Sequence, residues 1–218
     1  MKPLILINFK TYPEAIGKKA LLLAQEIAKV RKKNYLIAVA PSLLTVKEIA
    51  EKTNLIVFAQ HCDPVILGAH TGSISPAELK AIGVQGTILN HSEWKIPFTI
   101  LKETVRLCNK YKLKTIICAS TIHEAKKIAR LHPEYLAYEP KELIGGTISV
   151  TEAKPDTIVK AVEAVKKISP KSRVLCGAGV HTKEDIKHAL LLGTEGVLIG
   201  HAVPKAKDPR KFLEELLM

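Results

Sequence analysis

The chain has 218 residues, of which 47% are hydrophobic and 25% charged, with a formal net charge of +12 at pH 7. This balance excludes a disordered chain, and no apolar run approaches the roughly 20 residues of a membrane-spanning helix. Aromatic residues make up 5% and no nucleic-acid-binding motif is present, so the basic charge favours a small anionic substrate at least as well as a nucleic acid.

Short apolar runs alternate along the chain with segments whose apolar residues recur at helical spacing. The runs, typical of buried strands, span 4–7, 36–40, 55–59, 87–89, 115–118, 135–138, 174–176 and 197–199. The helical segments between them include 20–30, 100–111, 122–131, 158–168 and 186–192. Thr182 with Asp185 predicts the N-cap of the helical segment 186–192, and Gly193 predicts its end. Pro76 and Pro209 suit the first turns of two other helices.

This alternation predicts an α/β protein with a parallel sheet covered by helices. Eight strand–helix units without a linker favour one (β/α)8 barrel domain over residues 1–218, lean beside the roughly 250 residues that are typical. An open doubly wound sheet is the alternative. Four cysteines without ladder or CxxC spacing indicate reduced core residues of a cytoplasmic protein, and the N-terminus lacks the pattern of a signal peptide.

Active sites of (β/α)8 barrels lie at the carboxyl ends of the strands, where this chain carries a series of polar residues. They are, in chain order, Asn8, Lys10, Gln60, His61, Asn90, His91, Ser92, Glu93, Glu139 and His201. We expect these residues to converge on one rim of the barrel.

Three of them suggest chemistry. Glu139 ends an apolar run and is followed by Pro140, which fits either a strand that ends at the surface or a general base near an apolar wall. His91 opens "HSEW", a plausible first helical turn whose positive potential favours a neutral imidazole; a histidine bonded to the backbone is the alternative. Lys10 is interpreted either as a residue that binds an anion or as a solvated surface lysine.

Glycine-rich segments follow the last two strands, as in the phosphate site of many barrels. These are the "GAG" at 177–179 and Gly200, where backbone N–H groups can approach an anion closely. His181 and His188 are interpreted as sharing a helix face but lack further ligands, so we expect no metal site.

Seven segments in chain order carry a family resemblance. They are "NFK" at 8–10, "AQHCDPVILGAHTG" at 59–72, "NHSE" at 90–93, "AYEP" at 137–140, "LIGGT" at 143–147, "CGAGV" at 176–180 and "GVLIG" at 196–200. They resemble the N-x-K, third-loop, electrophilic-histidine, catalytic-glutamate, lid and phosphate motifs of triosephosphate isomerases. In its shortness the chain resembles the archaeal form of that family.

The resemblance implies an aldose–ketose isomerase of glycolysis and gluconeogenesis that interconverts dihydroxyacetone phosphate and D-glyceraldehyde 3-phosphate without a cofactor. Glu139 would be the base, neutral His91 the electrophile and proton shuttle, and Lys10 the charge that offsets the enediolate. Asn8 would bind the substrate, and Glu93 would organise Lys10.

The resemblance also implies a phosphate site and a mobile lid at 140–147. Backbone N–H groups of Gly145, Gly179, Gly200 and His201 would hold the phosphate. Ile144 and Leu198 are expected to close over Glu139 as an apolar clamp.

Two positions depart from the family pattern. Glu142 stands where many members carry tryptophan, which bears on lid motion, and His201 stands where the family has a second phosphate glycine. Two other functions remain open from the residues: another phosphate-binding barrel isomerase or synthase, and a basic binding protein without catalysis.

The connection 60–75 is long for a compact domain and carries the apolar run 65–67. In the family this loop enters the neighbouring subunit, and Thr71 matches the position that reaches its active site, which implies a dimer. We further expect shortened outer helices after strands four to six, leaving apolar surface that is covered in a homotetramer.

Overall fold

The computed structural model describes residues 2–30, 34–140 and 155–218. Eight parallel strands close into a barrel in chain order, and β1 pairs with β8 to complete it. The strands are β1 Leu4–Asn8, β2 Leu36–Ala40, β3 Ile56–Ala59, β4 Gly86–Leu89, β5 Lys114–Ala119, β6 Tyr135–Tyr138, β7 Arg173–Cys176 and β8 Gly196–Ile199. The (β/α)8 prediction is confirmed, every predicted run is a strand, and the doubly wound alternative is wrong.

Helices connect the strands and cover the outside of the barrel. They are α1 Gly17–Ala28, α2 Val46–Lys52, α3 Pro76–Ala81, α4 Phe98–Lys110, α5 Ile122–Ala129, α6 Pro155–Ile168, α7 Lys183–Leu191 and α8 Pro209–Leu216, with a 3-10 turn at Pro13–Ala15. Each predicted helical segment lies on one of them, with bounds that differ by up to three residues.

Both faces of the barrel strands are buried, which explains why the strands have continuous rather than alternating apolar sequences. On β1, Leu4 and Leu6 belong to the cluster of the barrel interior. Ile5 and Ile7 belong to the cluster that the strands form with the helices. The barrel is thus a filled core, and its upper rim is a rigid base for functional side chains.

The predicted helix signals are confirmed. The Thr182 hydroxyl accepts the Asp185 N–H at the start of α7, and the Asp185 carboxylate accepts the Thr182 N–H in return. Gly193 follows the end of α7 with φ +90°, a conformation that glycine adopts at little cost. Pro76 and Pro209 lie in the first turns of α3 and α8.

The expectation that the helices after strands four to six are shortened is wrong for two of the three. α4 and α6 have 13 and 14 residues, whereas α5 has 8. The shortest of the described helices instead follow strands two and three, α2 with 7 residues and α3 with 6. The 60–75 loop lies in the connection between β3 and β4, ahead of α3.

The four cysteines are buried and unpaired by disulfides, as predicted. Among the residues that the structure describes, none of the helices has the length and apolar character needed to cross a membrane.

Candidate functional site

The first strand brings Asn8 and Lys10 to the rim. Lys10 adopts a left-handed backbone conformation, φ +46°, and its N–H donates to the Asn8 side-chain oxygen at 3.0 Å. The Gln60 amide donates to the Lys10 carbonyl at 3.0 Å and to the Ala40 carbonyl at the same distance, which joins three strand ends. The unusual backbone of Lys10 is therefore braced on both sides by side chains of the rim.

The Lys10 ammonium donates to Glu93 Oε1 at 2.6 Å. Burial opposes the charge of the ammonium, but the hydrogen bond and charge of Glu93, with further contributions from Tyr12 and Glu139, raise the net pKa of Lys10. Lys10 is thus a charged group held in place at the rim. The interpretation of a freely solvated surface lysine is wrong, and the raised pKa makes Lys10 a poor proton donor at neutral pH.

His91 follows β4 and faces Glu139 across the rim. The Glu93 N–H donates to His91 Nδ1 at 3.2 Å, and His91 Nε2 lies 3.4 Å from Glu139 Oε1. A nitrogen that accepts a backbone N–H carries a lone pair, so the proton of a neutral imidazole is on Nε2. Nε2–H can therefore donate toward the same space that Glu139 faces.

The prediction that "HSEW" opens a helix is wrong. These residues form a turn in which the Trp94 N–H donates to the His91 carbonyl at 2.9 Å, and α4 begins only at Phe98. Pro97 disfavours helical backbone at the residue before it, which delays the helix. The backbone N–H that contacts His91 comes from this turn, as in the alternative of a histidine bonded to the backbone.

Glu139 lies at the carboxyl end of β6 and is 1% exposed, so the interpretation of a strand that ends at the surface is wrong. The Ser92 N–H donates to Glu139 Oε2 at 3.3 Å, and the nearby Cys118 thiol of the neighbouring β5 favours the charged form of the carboxylate. Burial raises the pKa of Cys118 well above its usual range, and so does the nearby charge of Glu139; the thiol therefore remains protonated.

Burial raises the pKa of Glu139, only partly offset by His91, Cys118, Ser92 and Lys95. A raised carboxyl pKa makes a stronger base once the proton is lost, which suits abstraction of a proton from carbon.

Gly177 leaves the space that the Glu139 side chain occupies. A Cβ on Gly177 would lie 2.5 Å from Glu139 Cγ and 3.0 Å from the Tyr138 carbonyl oxygen. The Gly177 N–H donates to that carbonyl at 2.8 Å, so the backbone cannot easily move away. The first glycine of "GAG" is therefore required beside the carboxylate, in addition to any part of this segment in anion binding.

We expect Gly177→Ala to fold and to lower kcat by about 10²-fold, since the methyl group displaces Glu139 and a misplacement near 1 Å has that scale of effect. Steady-state kinetics with a parallel thermal unfolding measurement checks this. An unchanged kcat would contradict the role of Gly177 in positioning the carboxylate.

One pocket of about 70 Å³ brings most predicted site residues together. It is lined, among others, by Lys10, His91, Glu139, Gly179, Leu198, Gly200 and His201. Asn8 instead lines an adjoining cavity of about 200 Å³ that shares Lys10 and His91 with the pocket. The predicted convergence of these residues on one rim is thereby confirmed. Asn8 lies in the adjoining cavity, and its side-chain oxygen accepts the Lys10 N–H.

His201 lies beside His181, not His188. The rings of His181 and His201 are 5.4 Å apart between centroids, and His181 precedes the N-cap Thr182 of α7, so the expected shared helix face with His188 is wrong. Burial lowers the pKa of His201, and His181, Lys205 and Lys10 lower it further. The ring is therefore harder to protonate than an ordinary histidine when no anion is bound.

The lid predictions lie outside the described residues. Ile144, Gly145 and Glu142 fall in the stretch 141–154, so only Pro140 and Leu198 of the predicted lid and clamp are described. Leu198 is 3% exposed and lines the pocket that Glu139 also lines.

A polar network lies behind His91 that was not predicted from the sequence. The Glu124 carboxylate accepts from Lys95, from the Asn90 amide and from the Ser120 N–H, at 2.7 to 3.1 Å. Asn90 has φ +57° and accepts the Ile96 N–H at 3.2 Å, which fixes the backbone immediately before His91. The sequence signal for this network was Asn90, directly before His91, because asparagine tolerates a left-handed backbone conformation.

The rim thus joins a buried carboxylate, an imidazole whose Nδ1 accepts a backbone N–H and a held ammonium ion within one small pocket with glycine-rich segments at its edge. This arrangement can remove a proton next to a carbonyl group, stabilise the resulting oxyanion and hold an anionic substituent.

Comparison with known proteins agrees with that chemistry. The family described as Triosephosphate isomerase matches residues 3–216. Proteins named Triosephosphate isomerase from Methanothermus fervidus and Methanocaldococcus jannaschii are each 41% identical to the chain, over 99% and 98% of its length and 98% of theirs. That of Methanobacterium bryantii is 39% identical over 99% of the chain and 96% of its own. The chain belongs to the triosephosphate isomerase family.

Proposed function

We propose that the chain interconverts dihydroxyacetone phosphate and D-glyceraldehyde 3-phosphate, with Glu139 as the base and His91 as the electrophile. Family membership makes the chain an isomerase of triose phosphates. The observation that carries the residue roles is the pair formed by buried Glu139 and His91, whose Oε1 and Nε2 atoms are 3.4 Å apart.

In the proposed reaction Glu139 removes a proton from the carbon next to the carbonyl group. The electron pair forms the double bond of an enediolate, and His91 Nε2–H donates to the oxygen on which negative charge develops. The Lys10 ammonium offsets that charge. His91 passes the hydroxyl proton from one oxygen to the other, and return of a proton to the other carbon completes the isomerisation. Because substrate and product have the same atoms and electrons, no cofactor is required.

Phosphate binding is assigned to the backbone N–H groups of Gly145, Gly179, Gly200 and His201, with a lid over 140–147 that excludes water. Support comes from the described part: a Cβ on Gly200 would lie 3.6 Å from Lys10 Cε, so this glycine borders the ammonium. Asn8 is assigned to the substrate, and Ile144 and Leu198 to an apolar clamp above Glu139.

A coupled assay tests the proposal. We expect glyceraldehyde 3-phosphate formation from dihydroxyacetone phosphate with purified protein, without added cofactor and in the presence of a chelator. Failure to isomerise either triose phosphate would contradict it, and turnover of a different sugar phosphate alone would favour another barrel isomerase or synthase.

His201 gives a prediction about the phosphate. Its pKa is lowered in the free protein by burial and by His181, Lys205 and Lys10, and a bound dianion favours the charged imidazolium. We therefore expect the His201 titration midpoint, followed by NMR, to rise when a phosphate-bearing substrate analogue is bound, with proton uptake at neutral pH. His201→Asn should abolish the uptake; a midpoint that the analogue leaves unchanged would place the side chain away from the phosphate.

We also propose that the chain is a homo-oligomer in which the 60–75 loop enters a neighbouring copy. The loop is closed at its base, where Asp63 and Ile74 exchange backbone and side-chain hydrogen bonds of 2.8 to 2.9 Å. Beyond this base Ile66 and Leu67 are 53% and 67% exposed. Such side chains on a fixed arm favour burial in a partner, and Thr71 is assigned to the contact with the partner's site.

The assembly is proposed to be a homotetramer. The 60–75 loop supports one of its two interfaces, whereas of the shortened helices expected at the second interface only α5 is short. Light scattering at micromolar concentration should give about four times the 23.9 kDa chain mass. Ile66→Asp with Leu67→Asp should reduce the mass at least twofold, because charges replace apolar contacts. Leu191→Asp, at an 84% exposed position on α7, is the matched control and should leave the mass unchanged. A wild-type mass near one chain would contradict both interfaces.

We further propose that residues 1–218 form one domain and that the protein acts in the cytoplasm, in glycolysis and gluconeogenesis. The four reduced, buried cysteines are compatible with that compartment.

A further inference from the structure

A lysine-lined groove adjoins the catalytic pocket and shares its wall. His201 and Ala202 line both the catalytic pocket and a second cavity of about 390 Å³. Lys205, Lys207 and Lys211 line that second cavity. We propose that this groove is a second anion subsite, which holds the distal phosphate of a diphosphate or bisphosphate ligand whose first phosphate occupies the catalytic phosphate site. The inference rests on the proposed phosphate-binding role of that site.

The two cavities meet at His201 and Ala202, and Lys205 lies beside this junction. The Lys205 N–H donates to the His201 carbonyl at 3.0 Å, so Lys205 follows His201 by one turn of chain. The Lys205 ammonium lies 4.7 Å from the centroid of the Tyr12 ring, and Tyr12 lines the catalytic pocket. The charges of Lys205 and Lys10 both act on His201, after burial and His181, to lower its pKa. A ligand that extends past His201 therefore stays in a positive field.

The carboxylates of the groove are already engaged. Asp208 caps α8 by accepting the Lys211 N–H at 3.0 Å, and Glu215 lies 4.0 Å from the Lys211 ammonium. Within the described ranges, neither Lys205 nor Lys207 forms an ion pair with a carboxylate. These two ammonium groups are consequently available to an incoming anion.

The chemistry of the donors indicates the ligand class. Lysine ammonium groups are compact point charges that bind phosphate oxygens without the planar fork that arginine offers to carboxylates. Their position beyond His201 requires a second charged group at a distance from the first. Diphosphates and sugar bisphosphates meet both conditions, whereas the single phosphate of a triose phosphate does not reach the groove and the catalytic pocket together.

Inorganic pyrophosphate and inorganic phosphate are the probes, as competitive inhibitors of isomerisation and by calorimetry without turnover. Lys207→Ala with Lys211→Ala removes the distal part of the groove. Lys160→Ala with Lys187→Ala removes two exposed lysines from α6 and α7 and is the charge-matched control. We expect the groove variant to weaken pyrophosphate binding by about 5-fold and phosphate binding by less than about 2-fold, and the control to change both by less than about 2-fold.

Equal shifts of pyrophosphate binding in the two double variants would overturn the subsite. Equal weakening of phosphate and pyrophosphate in the groove variant would also overturn it, because a general field would then explain the effect. If phosphate itself fails to compete with the substrate, the proposed catalytic phosphate site falls together with the inference, so the two failures are distinguishable.

Discussion

Glu139→Gln is expected to lower kcat by about 10²–10⁴-fold, the usual scale for loss of a general base, with KM changed little. Glutamine keeps the shape of the side chain and can still accept the Ser92 N–H, which donates to Glu139 at 3.3 Å in the wild type. It cannot accept a proton from carbon. Steady-state kinetics in both reaction directions measures the loss.

Stability separates this effect from misfolding. Burial raises the pKa of Glu139 above the ordinary carboxyl value of 4.5, so the ionised form is disfavoured in the folded state and destabilises it as pH rises above that value. Removing the charge should therefore leave the free energy of unfolding at pH 7 unchanged or higher. Glu163→Gln, on the exposed side of α6, is the matched control and should retain full activity. Retention of most of kcat in Glu139→Gln would contradict the assignment.

The same pKa gives a direction for the pH profile. Since the base must be ionised to act, kcat/KM should fall as pH drops through the pKa of Glu139, at a pH above the ordinary carboxyl range. This limb should be absent from the residual activity of Glu139→Gln.

His91→Gln is expected to lower kcat by about 10²–10³-fold, the scale found when one donor to a developing oxyanion is removed. In the wild type the Glu93 N–H at 3.2 Å fixes Nδ1 as the acceptor, which directs Nε2–H toward the substrate space near Glu139. Glutamine offers an N–H of lower acidity and cannot pass a proton between two oxygens. Substrate binding through the phosphate should persist, so KM should change by less than kcat.

His123→Gln, on the exposed side of α5, is the control for replacing a histidine by glutamine. A loss confined to KM in His91→Gln would indicate that the imidazole only binds substrate. NMR in deuterated solvent adds a second readout, because it measures how fast the carbon-bound proton of the substrate is replaced by deuterium. His91→Gln should slow this exchange and turnover together.

The sequence by itself determined the eight strands and the rim residues that follow them. Because both faces of a barrel strand are buried, its residues form short continuous apolar runs, and the polar residue that ends each run must lie at the carboxyl end of the barrel. Glu139 after β6 and His91 after β4 were found in this way, as were the Thr182 cap and the Pro76 and Pro209 helix starts. These features depend on neighbours along the chain, which a single sequence displays.

Only the tertiary structure decided how those residues are held. The Cys118 thiol reaches Glu139 from β5, and Gly177 leaves room for Glu139 from β7, although both are far from it in sequence. The pairing of His181 with His201 likewise joins two loops across the rim. Such contacts follow from strand register and backbone direction, which fix distances of a few ångströms between remote residues. Periodicity and local capping preferences contain no information about those distances, so the same sequence rules that found Glu139 could not say what holds it in place.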